Sequence, residues 1–184
     1  MEFTEGRLKG IFEIYLKPSF DQRGYFVRVF DDAIFKKAGL ERHWIQENHS
    51  KSLKKDIIRG LHIQLPPFQE TKLVRCIKGL IYDVFVDLRP ESPTYGQWDF
   101  IELSEENHKM IFIPKGFAHG FCTLSEISEI VYKVDNFYSR EFEQGIMWND
   151  PDLKISWPTK KPFLSEKDQN NISFKEYARI ISTF

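Results

Sequence analysis

Short runs in which apolar and polar residues alternate with a period of two, cut off by Gly, Pro, Asn and Asp, dominate this sequence. That period buries one face of an extended strand and leaves a helix without a stripe to bury. In Leu80–Leu88, Val84, Val86 and Leu88 share one face while Asp83, Phe85 and Asp87 share the other. Similar runs occur at Tyr25–Phe30, Leu73–Ile77, Trp98–Leu103, Met110–Ile113 and Ile130–Val134. Many short strands between turn signals predict an all-β chain, an antiparallel sandwich or barrel with few helices. Helices are expected at Asp31–Gly39, where Asp can cap the start and Gly the end, and at Phe174–Ile181. Leu65-Pro66-Pro67 and Arg89–Pro93 read as turns, and the lysine-rich Lys51–Lys55 as a solvated loop. With no repeat or linker, residues 1–184 are expected to form a single domain.

Charge narrows the partners. The 26 basic and 27 acidic side chains nearly cancel, so no global field favours nucleic acid or a membrane surface. Met1–Gly10 lacks the apolar stretch of a signal peptide, and no run approaches a membrane span, so a soluble, cytoplasmic protein is expected. Cys76 and Cys122 sit in apolar segments without ligand-like spacing and read as buried free thiols. The aromatic share, 15%, suits strands and pocket walls.

Two histidines stand in tight Gly-containing contexts: Arg59-Gly60-Leu61-His62-Ile63-Gln64 and Ile113-Pro114-Lys115-Gly116-Phe117-Ala118-His119-Gly120. Alone, either reads as a satisfied structural residue. Pro114, Gly116 and His119, however, resemble the second half-motif of cupins, jelly-roll β-barrels that often hold a metal. A metal cupin presents a His-x-His pair and a Glu, whereas Gln64 replaces the second histidine here. Two imidazoles under-supply a tightly held divalent ion, so no metal and no cofactor is expected.

The resemblance then becomes specific. Asp21-Gln22-Arg23-Gly24-Tyr25-Phe26, Gln46-Glu47-Asn48-His49-Ser50, Arg59–His62, Lys72-Leu73-Val74-Arg75, Asp87-Leu88-Arg89, Ser92–Gly96, Ile113–Phe121, Tyr132-Lys133, Trp148-Asn149-Asp150-Pro151 and Leu164–Asp168 occur in this order. Together they resemble the dTDP-4-dehydrorhamnose 3,5-epimerase family over nearly the whole chain. The resemblance implies a cupin-type jelly roll acting on a nucleotide-diphospho-4-keto-6-deoxy sugar. It also implies a homodimer with exchanged strands.

Inverting a carbon next to a ketone needs one group to remove a proton, another to return one on the opposite face, and a charge to steady the enolate. By resemblance, His62 is the base, Asp168 orients it, Tyr132 is the acid and Lys72 faces the enolate oxygen. Alternation places Tyr132 on one face with Ile130 and Val134, which points its ring inward. The family match assigns nucleotide and diphosphate binding to Arg23, Arg59 and Lys167, and further substrate contacts to Gln46, Asn48, His119 and Glu143. Arg28 occupies a substrate-contact position where the family usually carries glutamate, so a guanosine- or cytidine-linked sugar competes with the thymidine default. Ile63 replaces the aromatic residue usual after the base. Three alternatives stay open: an epimerase of one carbon only, a metal-dependent cupin enzyme, and a non-catalytic sugar-nucleotide module.

Overall fold

The computed structural model describes residues 1–184. In chain order the first half holds β1 (Glu2–Glu5), β2 (Phe12–Tyr15), β3 (Ser19–Asp21), β4 (Gly24–Phe26), α1 (Asp32–Lys37), β5 (Gln46–Ser52), β6 (Ile58–Gln64), β7 (Lys72–Lys78) and β8 (Leu80–Asp87). The second half holds β9 (Trp98–Ser104), β10 (Lys109–Ile113), β11 (Phe117–Thr123), β12 (Ser128–Val134), β13 (Glu143–Gly145), α2 (Glu166–Gln169) and α3 (Phe174–Ile181). A six-stranded sheet, β1-β2-β10-β7-β12-β5, faces a five-stranded one, β13-β6-β11-β8-β9, and every pairing within them is antiparallel. This is the antiparallel sandwich expected from the alternation, in the cupin-type jelly-roll form that the family resemblance implies.

Alternation sorts the side chains into three apolar layers. Between the sheets lie Val74, Cys76, Ile81, Phe85, Ile101, Ile111, Phe117, Phe121 and Ile130. On the outer face of the five-stranded sheet, Ile58, Leu61, Ile63, Val84, Val86 and Ala118 meet Ile146, Leu153 and Tyr177 of the C-terminal segment. On the outer face of the six-stranded sheet, Ile14, Leu73, Met110 and Phe112 are covered by Phe35 of α1 and by Leu40. β8 therefore has both faces buried, which explains why its run carries so little surface polarity. Both free thiols are buried, and burial pushes Cys76 up to about 11 and Cys122 up to about 12.

The helices follow their caps. Asp31 accepts the backbone N–H of Ile34 at the start of α1, and Gly39 takes φ +74° just beyond its end. α3 occupies Phe174–Ile181 as expected, with Ser173 as its cap.

Two segments differ from expectation. The run Tyr25–Phe30 is a strand only to Phe26; Val27, Val29 and Phe30 instead pack over the outer layer around Phe35, so their apolarity reflects cover rather than pairing. Lys51 does not belong to a loop: it lies in β5 and pairs with Glu129 of β12 at 3.2 Å, a cross-strand ion pair that a sequence window cannot see.

Candidate active site

A polar cleft lies beside β5 and β13, at one edge of each sheet. One cavity of about 320 Å³ is lined by Lys72 and Tyr132 from the six-stranded sheet, by Arg59, His62, His119 and Glu143 from the other, and by Lys167 and Asp168 of α2. It continues into a neighbouring cavity of about 330 Å³ that adds Gln46, Asn48, Gln64, Glu70 and Tyr138.

Strand geometry explains who points inward. On β6, Leu61 and Ile63 enter the outer apolar layer, so His62 and Gln64 turn into the cleft. On β12, Ile130 joins the inter-sheet layer and Tyr132 packs against it. β6 and β11 bring His62 opposite His119 in register. Their close approach depends on two glycines. A Cβ on Gly60, which has φ +116°, would lie 2.7 Å from both Gly120 Cα and the His119 carbonyl oxygen, and one on Gly120 would lie 2.8 Å from the Arg59 carbonyl oxygen.

His62 Nε2 is 2.6 Å from Asp168 Oδ1, which leaves the other ring nitrogen for a substrate proton. Ser165 donates its hydroxyl to Asp168 Oδ2 at 2.9 Å and caps α2 by accepting the Asp168 backbone N–H. Burial alone would push the Asp168 carboxyl up; the hydrogen bond and charge of His62, with bonds from Ser165 and the Gly60 backbone, outweigh it and hold the group ionised below the usual carboxylate range. Tyr132 moves the other way: burial, then the charges of Glu70 and Glu143, raise its phenol above 10 against a smaller opposing effect of Arg59, so it stays a proton donor. A base held by a carboxylate and a protonated phenol thus face one space, which is the equipment for removing and returning a proton at carbon.

Lys72 Nζ lies 3.2 Å from Glu70 in a shielded position. Glu143 accepts the Tyr138 hydroxyl at 2.8 Å and pairs with Lys167; burial raises its pKa, and these two partners more than reverse the effect. His119 Nε2 meets both oxygens of fully buried Asp83, at 3.0 and 2.9 Å. Arg59 bonds Ser52 Oγ and the Lys51 carbonyl but pairs with no carboxylate, which leaves its charge for an incoming anion.

Comparisons with known proteins show the family. A family model described as dTDP-4-dehydrorhamnose 3,5-epimerase matches residues 5–176. The chain belongs to the dTDP-4-dehydrorhamnose 3,5-epimerase family. A relative of that name from Shigella flexneri is 49% identical over 155 residues, covering 84% of this chain and 85% of the relative. The crystal structure of the Bacillus anthracis dTDP-4-dehydrorhamnose 3,5-epimerase, with TDP and PPi bound, superposes with a TM-score of 0.92 at 39% identity, covering 94% of this chain and 99% of the other. The Legionella pneumophila epimerase, in complex with dTDP-4-keto-L-rhamnose, gives a TM-score of 0.90 at 36% identity over 95% and 93% of the two chains.

Of the site residues expected from the family resemblance, His62, Tyr132, Asp168, Lys72, Gln46, Asn48, Arg59, His119, Glu143 and Lys167 line the two cavities. Arg23 and Arg28 do not. Arg23 sits in the β3–β4 hairpin, 84% exposed and paired with its own neighbour Asp21, while Arg28 pairs with Asp31, the α1 cap, at 3.2 Å. Gln64, the residue in place of a second metal-ligating histidine, is buried with both amide atoms unpartnered. Sequence reasoning passed over Asp83, Glu70 and Tyr138. Asp83 carried a signal, a charge at an inward position among Val and Phe. Glu70 and Tyr138 lie in connecting segments and carried none.

Proposed function

We propose that this chain epimerises C3 and C5 of a dTDP-linked 4-keto-6-deoxyhexose. His62 removes the proton beside the ketone, and its own ring, already facing Asp168, takes up the positive charge. Lys72 steadies the enolate oxygen, and Tyr132 returns a proton from the other side. The observation that carries the reading is the meeting, in one cleft, of a base 2.6 Å from its buried carboxylate with a phenol kept protonated by its surroundings. Arg59 and Lys167 supply the cationic end for the diphosphate, and His119 lines the same cavity. Thymidine is favoured over other bases by the names of the relatives and by the pairing of Arg28 with Asp31, which occupies that charge within its own segment.

The same reading makes the enzyme a homodimer. The β3–β4 hairpin displays Phe20, Tyr25 and Phe26 at 50–71% exposure beside Arg23, an apolar and cationic surface that a second copy would cover while extending Arg23 toward that copy's cleft. A cytoplasmic location fits two free, unpaired thiols.

The test is incubation in deuterated water with dTDP-, GDP- and CDP-linked 4-keto-6-deoxy sugars, followed by NMR at C3 and C5. Deuterium at both carbons of the dTDP sugar is expected; deuterium at one makes the enzyme a mono-epimerase, and none with any substrate rejects the reading. Light scattering of the wild type and of Phe26→Ser tests the dimer.

A further inference from the structure

The carboxylates around the cleft are each committed to cationic or proton-bearing partners. Asp168 holds His62, Asp83 holds His119, and Glu143 holds Lys167 and the Tyr138 hydroxyl. Glu70 remains, 3.2 Å from Lys72 Nζ, and these two side chains are only 11% and 12% exposed. An ammonium so far from water loses much of its hydration and needs a counter-charge to stay in place. Glu70 sits two residues before Lys72, in the turn-rich segment that leads from β6 into β7. It lines the cavity that also holds His62, Tyr132 and Gln64.

We infer that Glu70 is a positioning residue of the reaction: its carboxylate fixes the Lys72 ammonium at the place where the enolate charge forms. This rests on the reading of Lys72 as the group facing the ketone oxygen. The arrangement resolves a conflict within the cleft. A lysine free to move would follow any carboxylate that came near, and Glu143 lines the same cavity; Glu143 is occupied by Lys167 and Tyr138, and Glu70 keeps Lys72 to its own side. The other ionisable groups facing Lys72 and Tyr132 are Arg59 and His62 from β6, His119 from β11, and Asp168 from α2. None of these is a second carboxylate free to replace Glu70, since Asp168 is bound to His62.

Glu70→Gln keeps the length of the side chain and removes its charge, and Glu70→Asp keeps the charge one methylene shorter. In Glu70→Gln, kcat is expected to fall on the order of 10- to 100-fold with KM little changed, because substrate anchoring rests on Arg59 and Lys167. Deuterium wash-in should fall in step with turnover, since enolate formation itself is impaired. The alkaline limb of the rate profile should move to lower pH as Tyr132 loses a neighbouring negative charge. Glu70→Asp should keep the limb near its wild-type position. A Glu70→Gln enzyme with wild-type kcat and an unmoved limb would overturn the inference, as would equal impairment of Gln and Asp variants with the limb unmoved. Lys72→Met separates the two layers: an inactive Lys72→Met beside an unaffected Glu70→Gln rejects the role of Glu70 alone, while an active Lys72→Met rejects the reading of Lys72 and the inference with it.

Discussion

Asp168→Asn preserves the shape of the side chain and deletes the charge on which the base depends. The pair is well shielded, with 5% of the Asp168 side chain and 28% of the His62 side chain exposed. When His62 takes a proton, the imidazolium forms with its Nε2 2.6 Å from a carboxylate oxygen. For charge centres about 4 Å apart and an effective dielectric near 20, the attraction is about 4 kcal/mol. At about 1.4 kcal/mol per decade, this corresponds to roughly a 10³-fold loss of kcat. The amide adds to the loss in the same direction: its N–H can donate to Nε2, which places the ring proton on the nitrogen that should accept from substrate. The assay is deuterium wash-in at C3 and C5 of the dTDP-4-keto-6-deoxy sugar, with dTDP affinity measured by calorimetry on the same variant. Wash-in at both carbons should fall together while affinity holds. Turnover within about tenfold of wild type would refute the dyad, and a parallel loss of affinity would show a distorted cleft instead of a missing charge.

Other outcomes follow from the same structure. Tyr132→Phe should spare proton abstraction more than completed inversion, because the base and Lys72 remain; comparing wash-in with product formation checks this, and equal losses would exclude Tyr132 as the acid. Asp83→Asn should weaken diphosphate binding, read as a higher dTDP dissociation constant, since it removes the charge that His119 faces in a fully buried setting. Asp87 is fully buried, and although burial opposes ionisation, bonds from Arg89, Ser92 and Thr94 bring its carboxyl down to about 2. Its folded value lies below the unfolded one, so the group contributes stability above about pH 4 and loses it as pH falls toward 2. Asp87→Asn should therefore cost about 2 kcal/mol near neutrality, with the gap from wild type closing on acidification in urea titrations.

The sandwich was legible because alternation is a local signal, and β7 to β10 and β12 appear where the pattern puts them, whereas β11 has no such run. What alternation could not reveal was cover. Val27–Phe30 and β5 both have their surroundings set by distant segments, so the local pattern predicts a strand that Val27–Phe30 does not form and a loop that Lys51 does not occupy. The proton-moving residues came from ordered motifs, since nothing local to Asp168 distinguishes it from an ordinary helix cap; its partner is 106 positions away. The carboxylates Glu70 and Asp83 show why a list of reacting groups falls short of a site: their roles exist only through what they face.

Gly60 and Gly120 leave no room for a Cβ where β6 and β11 meet. The consequence is a limit on how this protein can evolve. Descendants can alter the rim of the cleft and so drift toward other sugars or bases. They cannot introduce a side chain at the crossing without parting the strands that carry His62 and His119. Selection for new substrates therefore has the walls to work with, and the spacing of the two histidines is inherited unchanged.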